Sequence, residues 1–189
     1  MSTSAPAPAV TGLPAATDDP AAFRRVLGQV PTSVCVVTAM TPDGPVGVTV
    51  GSFTSVSLDP PLVVFYAGRN SASAGAIVAA GHFCVNVLAE DQQEVCSAFA
   101  GPTADRFATG DWDGAAGTPP RLGRAAAWIA CDVEDSFPAG DHLAVMGRVR
   151  SLASADARKP LIFHRGRLVR LDRACGVHAP THPFGWWDI

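Results

Sequence analysis

The chain lacks three features that mark common classes of protein. No apolar run is long enough to cross a bilayer, and the first residues lack the basic and then apolar regions of a signal peptide. The formal net charge is −3 and the arginines are scattered, which argues against nucleic acid as a partner. No G-x-G-x-x-G segment joins a predicted strand to a predicted helix, so a nicotinamide nucleotide would have to bind without a βαβ unit. We therefore expect a cytoplasmic protein that binds neither membrane nor nucleic acid.

The cysteine pattern also gives no indication of zinc binding or dithiol chemistry. The chain has 5 cysteines, an odd number, and they are widely spaced with no Cys-x-x-Cys pair. Cys35, Cys84 and Cys131 lie among apolar neighbours in predicted strands, as small core residues do. The histidines outside the motifs described below show no metal-ligand spacing with one another. We predict no metal site and assign no cysteine to catalysis.

The length of 189 residues fits one domain with a substantial core. Residues 1–18 are rich in Ala, Pro, Ser and Thr, which favours a flexible N-terminal arm. We place the domain at residues 19–173 and a C-terminal tail at residues 174–189. The tail contains the adjacent Trp186 and Trp187, which we expect to pack against the same chain or against a partner subunit.

Capping residues predict three short helices. The first has Asp19 as its N-cap and Pro20 as its first residue, and it ends before Gly28. The other two are predicted within Ser73–Gly81, with Ser73 as the cap, and Asp91–Gly101, with Asp91 as the cap.

Most of the remaining chain is predicted to form short strands bounded by turns. The candidates are Val34–Thr38, Val46–Val50, Leu62–Phe65, Phe83–Leu88, Trp128–Phe137, Leu143–Leu152 and Leu168–Leu171. The segment Gly110–Arg124 is rich in Gly, Pro and Asp and is predicted to be a long loop. The pattern indicates a mainly β protein.

A hydroxyl-rich segment, Gly47–Phe65, is the most informative part of the sequence. Its hydroxyl side chains lie within nine residues and are Thr49, Ser52, Thr54, Ser55 and Ser57. Backbone amides at the end of a strand, surrounded by small hydroxyl side chains, can hold a phosphate without a lysine. The segment therefore suggests a phosphorylated cofactor, whereas the simpler alternative is an edge strand whose hydroxyls are solvated.

Seven sequence blocks, in this order and spacing, resemble the flavin reductase-like family. They are PTSVCVVTA from Pro31, SFTSVSLDPPLVVF from Ser52, RNSAS from Arg69, HFCVNVLAEDQQEVCSAFA from His82, RF at Arg106, PAGDH from Pro138 and PLIFHRGRLVRL from Pro160. The resemblance covers Phe23–Leu171. It implies an antiparallel split β-barrel with Greek-key connections, which binds FMN or FAD and accepts hydride from NADH or NADPH.

By this resemblance, the segment after Val48 wraps the flavin. The implied flavin-binding residues are Thr49, Ser52, Phe53, Thr54 and Ser55. Many relatives have a larger and often polar side chain at the position of Gly51. Any contact made by that side chain must here come from the backbone.

The RNSAS block follows a strand and leads into a helix start, where amides and hydroxyls can converge on an anion. Arg69 could add charge, with Ser71 and Ser73 as hydroxyl ligands; the alternative is a helix-capping turn with a solvated arginine. The resemblance favours phosphate.

Three more cofactor contacts are predicted farther along the chain. Asn86 could reach a ligand from its strand, and a surface amide is an equally good explanation. Arg106 and Phe107 occupy the position of the family's RF pair near the flavin.

The turn Gly140-Asp141-His142 matches the family's GDH motif. The resemblance implies that His142, the candidate catalytic residue, lies beside the nicotinamide and orients it. Asp141 is expected to fix the turn. Without the resemblance, a histidine in a turn would be read as solvated.

We therefore predict an NAD(P)H:flavin oxidoreductase that passes reduced flavin to a separate oxygenase, and a homodimer that covers open strand edges. One alternative is an electron-transfer protein of the same fold that binds FMN tightly. The other is a non-catalytic barrel that binds a partner.

Overall fold

The structure is a computed structural model that describes residues 19–101, 105–155 and 157–171. Its helices are Pro20–Leu27 (α1), Ala72–Ala80 (α2) and Gln93–Ala100 (α3), with a 3₁₀ turn at Arg106–Ala108. Its strands are Thr32–Ser33 (β1), Cys35–Thr41 (β2), Gly44–Val50 (β3), Thr54–Leu58 (β4), Pro61–Gly68 (β5), His82–Val87 (β6), Trp112–Asp113 (β7), Arg121–Leu122 (β8), Ala127–Ala139 (β9), His142–Ser154 (β10), Ile162–His164 (β11) and Arg167–Val169 (β12). The predicted arm, the tail tryptophans and Cys175 lie outside the described residues, so the predictions made for them stay predictions.

The main sheet has seven strands in the order β3-β2-β6-β9-β10-β5-β4, and every neighbouring pair is antiparallel. Strands β3 and β4 follow each other in sequence but lie at opposite edges of the sheet, and β9 and β10 separate β5 from β6. These long connections are typical of Greek-key folds. The predicted mainly β, antiparallel split barrel with short helices is confirmed.

The core lies inside the curved sheet. Phe65, Phe83 and Val145 are fully buried there, and the rings of Phe65 and Phe83 meet edge to face with centroids 5.5 Å apart. A second buried cluster forms around Phe99 and Leu122, between α3 and the neighbouring strands. The central strands β5, β6 and β10 therefore supply these buried residues of the barrel core.

Gly147 lies where β10 crosses this core. The β9–β10 pairing shifts register between Met146 and Gly147. A Cβ atom at position 147 would lie 2.9 Å from both Phe83 Cε1 and Cys131 Cβ, closer than packed atoms tolerate. Glycine is therefore required for Phe83 to fill the barrel.

Helix α1 begins and ends as predicted, but its apolar face does not enter the core. Asp19 accepts a hydrogen bond from the Ala21 amide at 2.9 Å, and Gly28 is the C-cap. No residue of α1 is buried, and Phe23 is 61% exposed. Helix α1 thus presents apolar side chains to its surroundings.

Several local predictions need correction. Ser71, rather than Ser73, caps α2, because its Oγ accepts the Ala74 amide hydrogen bond at 3.3 Å. Helix α3 begins after Gln92 and not at Asp91. The predicted loop Gly110–Arg124 contains the short hairpin β7–β8.

The described cysteines are core residues, as predicted for Cys35, Cys84 and Cys131. Desolvation raises the pKa of the Cys35 and Cys131 thiols to about 12 and that of Cys84 to about 11. Their thiolate forms are therefore disfavoured at neutral pH.

None of the helices in the described ranges has the length and apolar character that a membrane crossing requires.

Candidate functional site

Two predicted site blocks meet where β5 and β10 end. Gly68, the last residue of β5, is the register partner of His142, the first residue of β10. The Arg69 amide donates to the Asp141 carbonyl oxygen at 2.9 Å. The RNSAS and GDH turns are thereby fixed side by side, although Arg69 and Asp141 are 72 positions apart in sequence.

Ser52 brings the hydroxyl-rich segment to the same corner. Its Oγ donates to the Tyr66 carbonyl oxygen at 2.8 Å and accepts from the Tyr66 amide at 3.0 Å. Thr54 and Ser55 follow on edge strand β4, opposite Val64 and Val63 of β5. The side chain of Ser52 is thus used in fixing the segment, and Thr54 and Ser55 are held at a sheet edge.

The start of α2 supplies the amides expected of an anion site. The Ser71 amide donates to the Gly68 carbonyl oxygen at 2.8 Å, which closes the turn between β5 and α2. Arg69 is exposed, and its guanidinium makes no hydrogen bond or ion pair within the described ranges. The first amides of a helix and an available guanidinium are a combination that favours phosphate.

Arg106 ties the RF pair to α2. Its Nη1 donates to the Gly47 carbonyl oxygen at 3.0 Å and to Ser73 Oγ at 3.4 Å, and its Nη2 donates to the Gly101 carbonyl oxygen at 3.1 Å. Phe107 packs edge to face against Phe99 with centroids 5.0 Å apart. Arg106 and Phe107, together with Gly47 and Ser73, line a cavity of about 430 Å³.

His142 lines a second and larger groove. Its Nδ1 donates to Asp141 Oδ1 at 2.6 Å, and its side chain is 49% exposed. Gly140 has φ +65°, a conformation that favours glycine in this tight turn. The hydrogen bond from His142 holds the pKa of Asp141 below its usual range, and the charges of His142 and Arg24 act in the same direction. Because Asp141 engages Nδ1, Nε2 is left to face a ligand.

The groove beside His142 has a volume of about 640 Å³, within the range of small-molecule sites. Gly51, Ser52 and His142 contribute to its lining. Apolar residues from α1 and β11, including Phe23 and Phe163, also line it. Such a surface suits planar rings.

Three predicted site residues have partners within the protein. Asn86 is 0% exposed; its Nδ2 donates to the Val36 carbonyl oxygen at 3.0 Å and its Oδ1 accepts from the Leu122 amide at 2.8 Å. It is therefore neither a ligand contact nor a surface amide here, but a buried link between strands. Thr49 donates to the Cys96 carbonyl oxygen of α3 at 3.1 Å, and Phe53 packs against the barrel core. These contacts give Thr49 and Phe53 structural roles at this corner.

Sequence reasoning missed the contribution of α1 and β11 to the groove. Arg24, Leu27 and Phe163 line it, although they are far from the motifs in sequence. The only sequence feature that pointed to α1 as part of a site was its apolar face, which is too short to form a core by itself.

The described residues contain no group of three or more His, Cys, Asp or Glu side chains placed to hold a metal ion.

Known proteins resemble this chain in sequence and fold. A family model described as "Flavin reductase like domain" matches residues 27–172. A "Flavin reductase" of Pseudomonas putida is 48% identical over 149 residues, which cover 78% of this chain and 88% of that protein.

Two solved structures are also similar. The nitrilotriacetate monooxygenase component B from Mycobacterium thermoresistibile has a TM-score of 0.81 and 39% identity, covering 86% of this chain and 92% of that one. An NADH:FAD oxidoreductase from Streptomyces globisporus, solved with NAD and FAD fragments, has a TM-score of 0.78 and 35% identity, covering 83% and 95%. The chain therefore belongs to the flavin reductase-like family.

Proposed function

We propose that this protein is an NAD(P)H:flavin oxidoreductase that transfers hydride from a nicotinamide nucleotide to FMN or FAD. The observation that carries the proposal is the joining of two turns: Gly68 pairs with His142, and the Arg69 amide donates to Asp141. This arrangement sets the candidate phosphate residues beside the candidate nicotinamide residue. A flavin held at one and a nicotinamide held at the other would be close together.

The residues present fit this pair of nucleotides. Ser55, Ser71 and Arg69, with the first amides of α2, would hold the flavin phosphate, and Arg106 would keep the neighbouring segment in place through Gly47 and Ser73. The bound nucleotides supply the hydride chemistry, while the protein holds and orients them. His142 would present Nε2 toward the nicotinamide, with Asp141 fixing the imidazole.

The phosphate assignment is tested with serine variants. Ser55→Ala and Ser71→Ala should each remove about one hydrogen bond to a charged group, on the order of 1.5 to 3 kcal/mol. FMN affinity should fall, whereas riboflavin affinity should change little because riboflavin has no phosphate. Fluorescence titration of both flavins measures this, with Ser57→Ala on the same strand as a matched control. Equal losses for FMN and riboflavin would show that these hydroxyls do not face phosphate.

The reduced flavin is proposed to leave for a separate oxygenase. Support comes from the similarity to a nitrilotriacetate monooxygenase component B, since a component B implies a second component. We also propose a homodimer, because Val26 of α1 and Val56 and Leu58 of the edge strand β4 are more than half exposed. Sedimentation equilibrium that finds only the monomer mass at micromolar protein would contradict the dimer.

Steady-state assays test the proposed activity. The purified protein should oxidise NADH or NADPH only when flavin is supplied or retained, and comparison of riboflavin, FMN and FAD should identify the flavin. A flavin that survives exhaustive dialysis and is not released after reduction would instead favour the tightly bound electron-transfer alternative. Turnover at the same rate without any flavin would exclude both.

A further inference from the structure

The groove beside His142 has one permanently charged side chain in its lining. Among the described residues that form it, Arg24 is the sole lysine, arginine, aspartate or glutamate. Apolar residues also line the groove: Phe23 and Leu27 of α1, Val30 from the segment after α1, and Phe163 of β11. A ligand that matches this surface combines planar or apolar parts with negative charge.

The guanidinium of Arg24 is available to bind such a ligand. Its guanidinium makes no hydrogen bond or ion pair with the part of the chain that the structure describes. Arg24 and His142 line the same groove. The charge of Arg24 also contributes, as the smallest of several causes, to the lowered pKa of Asp141, which is hydrogen-bonded to His142.

The β11–β12 turn fixes α1 in this position. The Arg165 amide donates to the Gly28 carbonyl oxygen at 3.0 Å, directly after the end of α1. The Arg165 side chain also donates from Nε to Gln29 Oε1 at 2.9 Å. The last turn of α1, which carries Arg24, is thus held against the β11–β12 hairpin, which provides Phe163 and Gly166 to the groove.

We infer that Arg24 binds a phosphate group of the nicotinamide nucleotide, while the apolar residues of α1 and β11 contact its rings. This inference rests on the proposed function, because it assumes that nicotinamide lies at His142. The nucleotide carries a diphosphate between its two nucleosides, and NADPH carries an additional 2′-phosphate. A guanidinium is suited to either group, and pairing with it would position the nucleotide without a βαβ unit.

The experiment compares Arg24→Ala with Arg25→Ala, a control that removes the same charge from the neighbouring position in the last turn of α1. Arg25 does not line the groove. For Arg24→Ala, the KM for the nucleotide should rise roughly 10- to 100-fold, as expected for a lost hydrogen bond to a charged group. FMN affinity should be unchanged, and Arg25→Ala should behave as the parent. Circular dichroism would confirm that both variants fold.

The two phosphate sources give different patterns. Equal KM increases for NADH and NADPH would assign Arg24 to the diphosphate, whereas an increase for NADPH alone would assign it to the 2′-phosphate. Arg24→Lys, which keeps the charge, should recover part of the loss. Unchanged KM values for both nucleotides, or equal losses in Arg24→Ala and Arg25→Ala, would overturn the inference. A parent protein that oxidises neither nucleotide would instead overturn the proposed function itself.

Discussion

Replacing His142 with alanine should slow reduction of bound flavin by NADH or NADPH by roughly 10- to 100-fold, because a slightly misplaced hydride donor loses much of the benefit of orientation. The KM for the nucleotide should rise as well. His142 is half exposed and its side chain contacts Asp141, so its removal should leave the fold intact. Flavin affinity should be nearly unchanged, since the proposed phosphate contacts come from β4 and α2.

Stopped-flow reduction at saturating flavin measures this effect directly. His82→Ala is the matched control, because His82 lies on β6, outside the groove, and has the Gly117 carbonyl oxygen as its partner at 3.3 Å. Parent-like reduction rates and nucleotide affinities in His142→Ala would remove His142 from the site. Loss of flavin binding along with rate would point to a structural role for this turn.

Gly147→Ala should strongly destabilise the protein. The new methyl group would overlap Phe83 and Cys131 inside the barrel, where both neighbours are buried. Overpacking of this kind costs about 3 kcal/mol of unfolding free energy when the core cannot relax. For a protein of this size the thermal midpoint should fall by roughly 6 to 12 °C.

Gly75→Ala provides the opposite case in the same protein. Gly75 lies inside α2, is exposed, and a Cβ there would meet nothing within 4 Å. Alanine should stabilise the protein by about 0.5 to 1 kcal/mol, because it favours helix and restricts the unfolded chain. Urea denaturation at one fixed protein concentration compares the two variants. Equal stability of Gly147→Ala and the parent would show that Phe83 can move aside.

Local signals predicted much of this fold, because the responsible interactions span only a few residues. Asp19 caps α1 and Gly81 ends α2 in the left-handed conformation, as the sequence indicated. The choice between Ser71 and Ser73 as a cap could not be made from sequence. Both are followed by small residues, and the β5 turn that places Ser71 at the cap is set by its contact with Gly68.

The site was predicted less completely, because burial depends on partners distant in sequence. Asn86 alternates with valines in a pattern that fits a surface strand, yet Val36 and Leu122 enclose it from two other strands. Arg24 shows the reverse case. It looked like an ordinary helix residue, and only the docking of α1 on the β11–β12 turn places it at the groove.

The two hydrogen bonds of Ser52 have a consequence for self-association. Strand β4 begins at Thr54, opposite Val64, so it does not pair with Tyr66 farther along the outer edge of β5. Without another partner, the amide and carbonyl groups of Tyr66 would be open to pairing with any extended chain that approached this edge. One hydroxyl occupies both groups and so takes the place of a neighbouring backbone. Non-native strand addition, the first step of sheet-mediated aggregation, is blocked at this point of the edge, while the chain remains free to turn away and shape the cofactor corner.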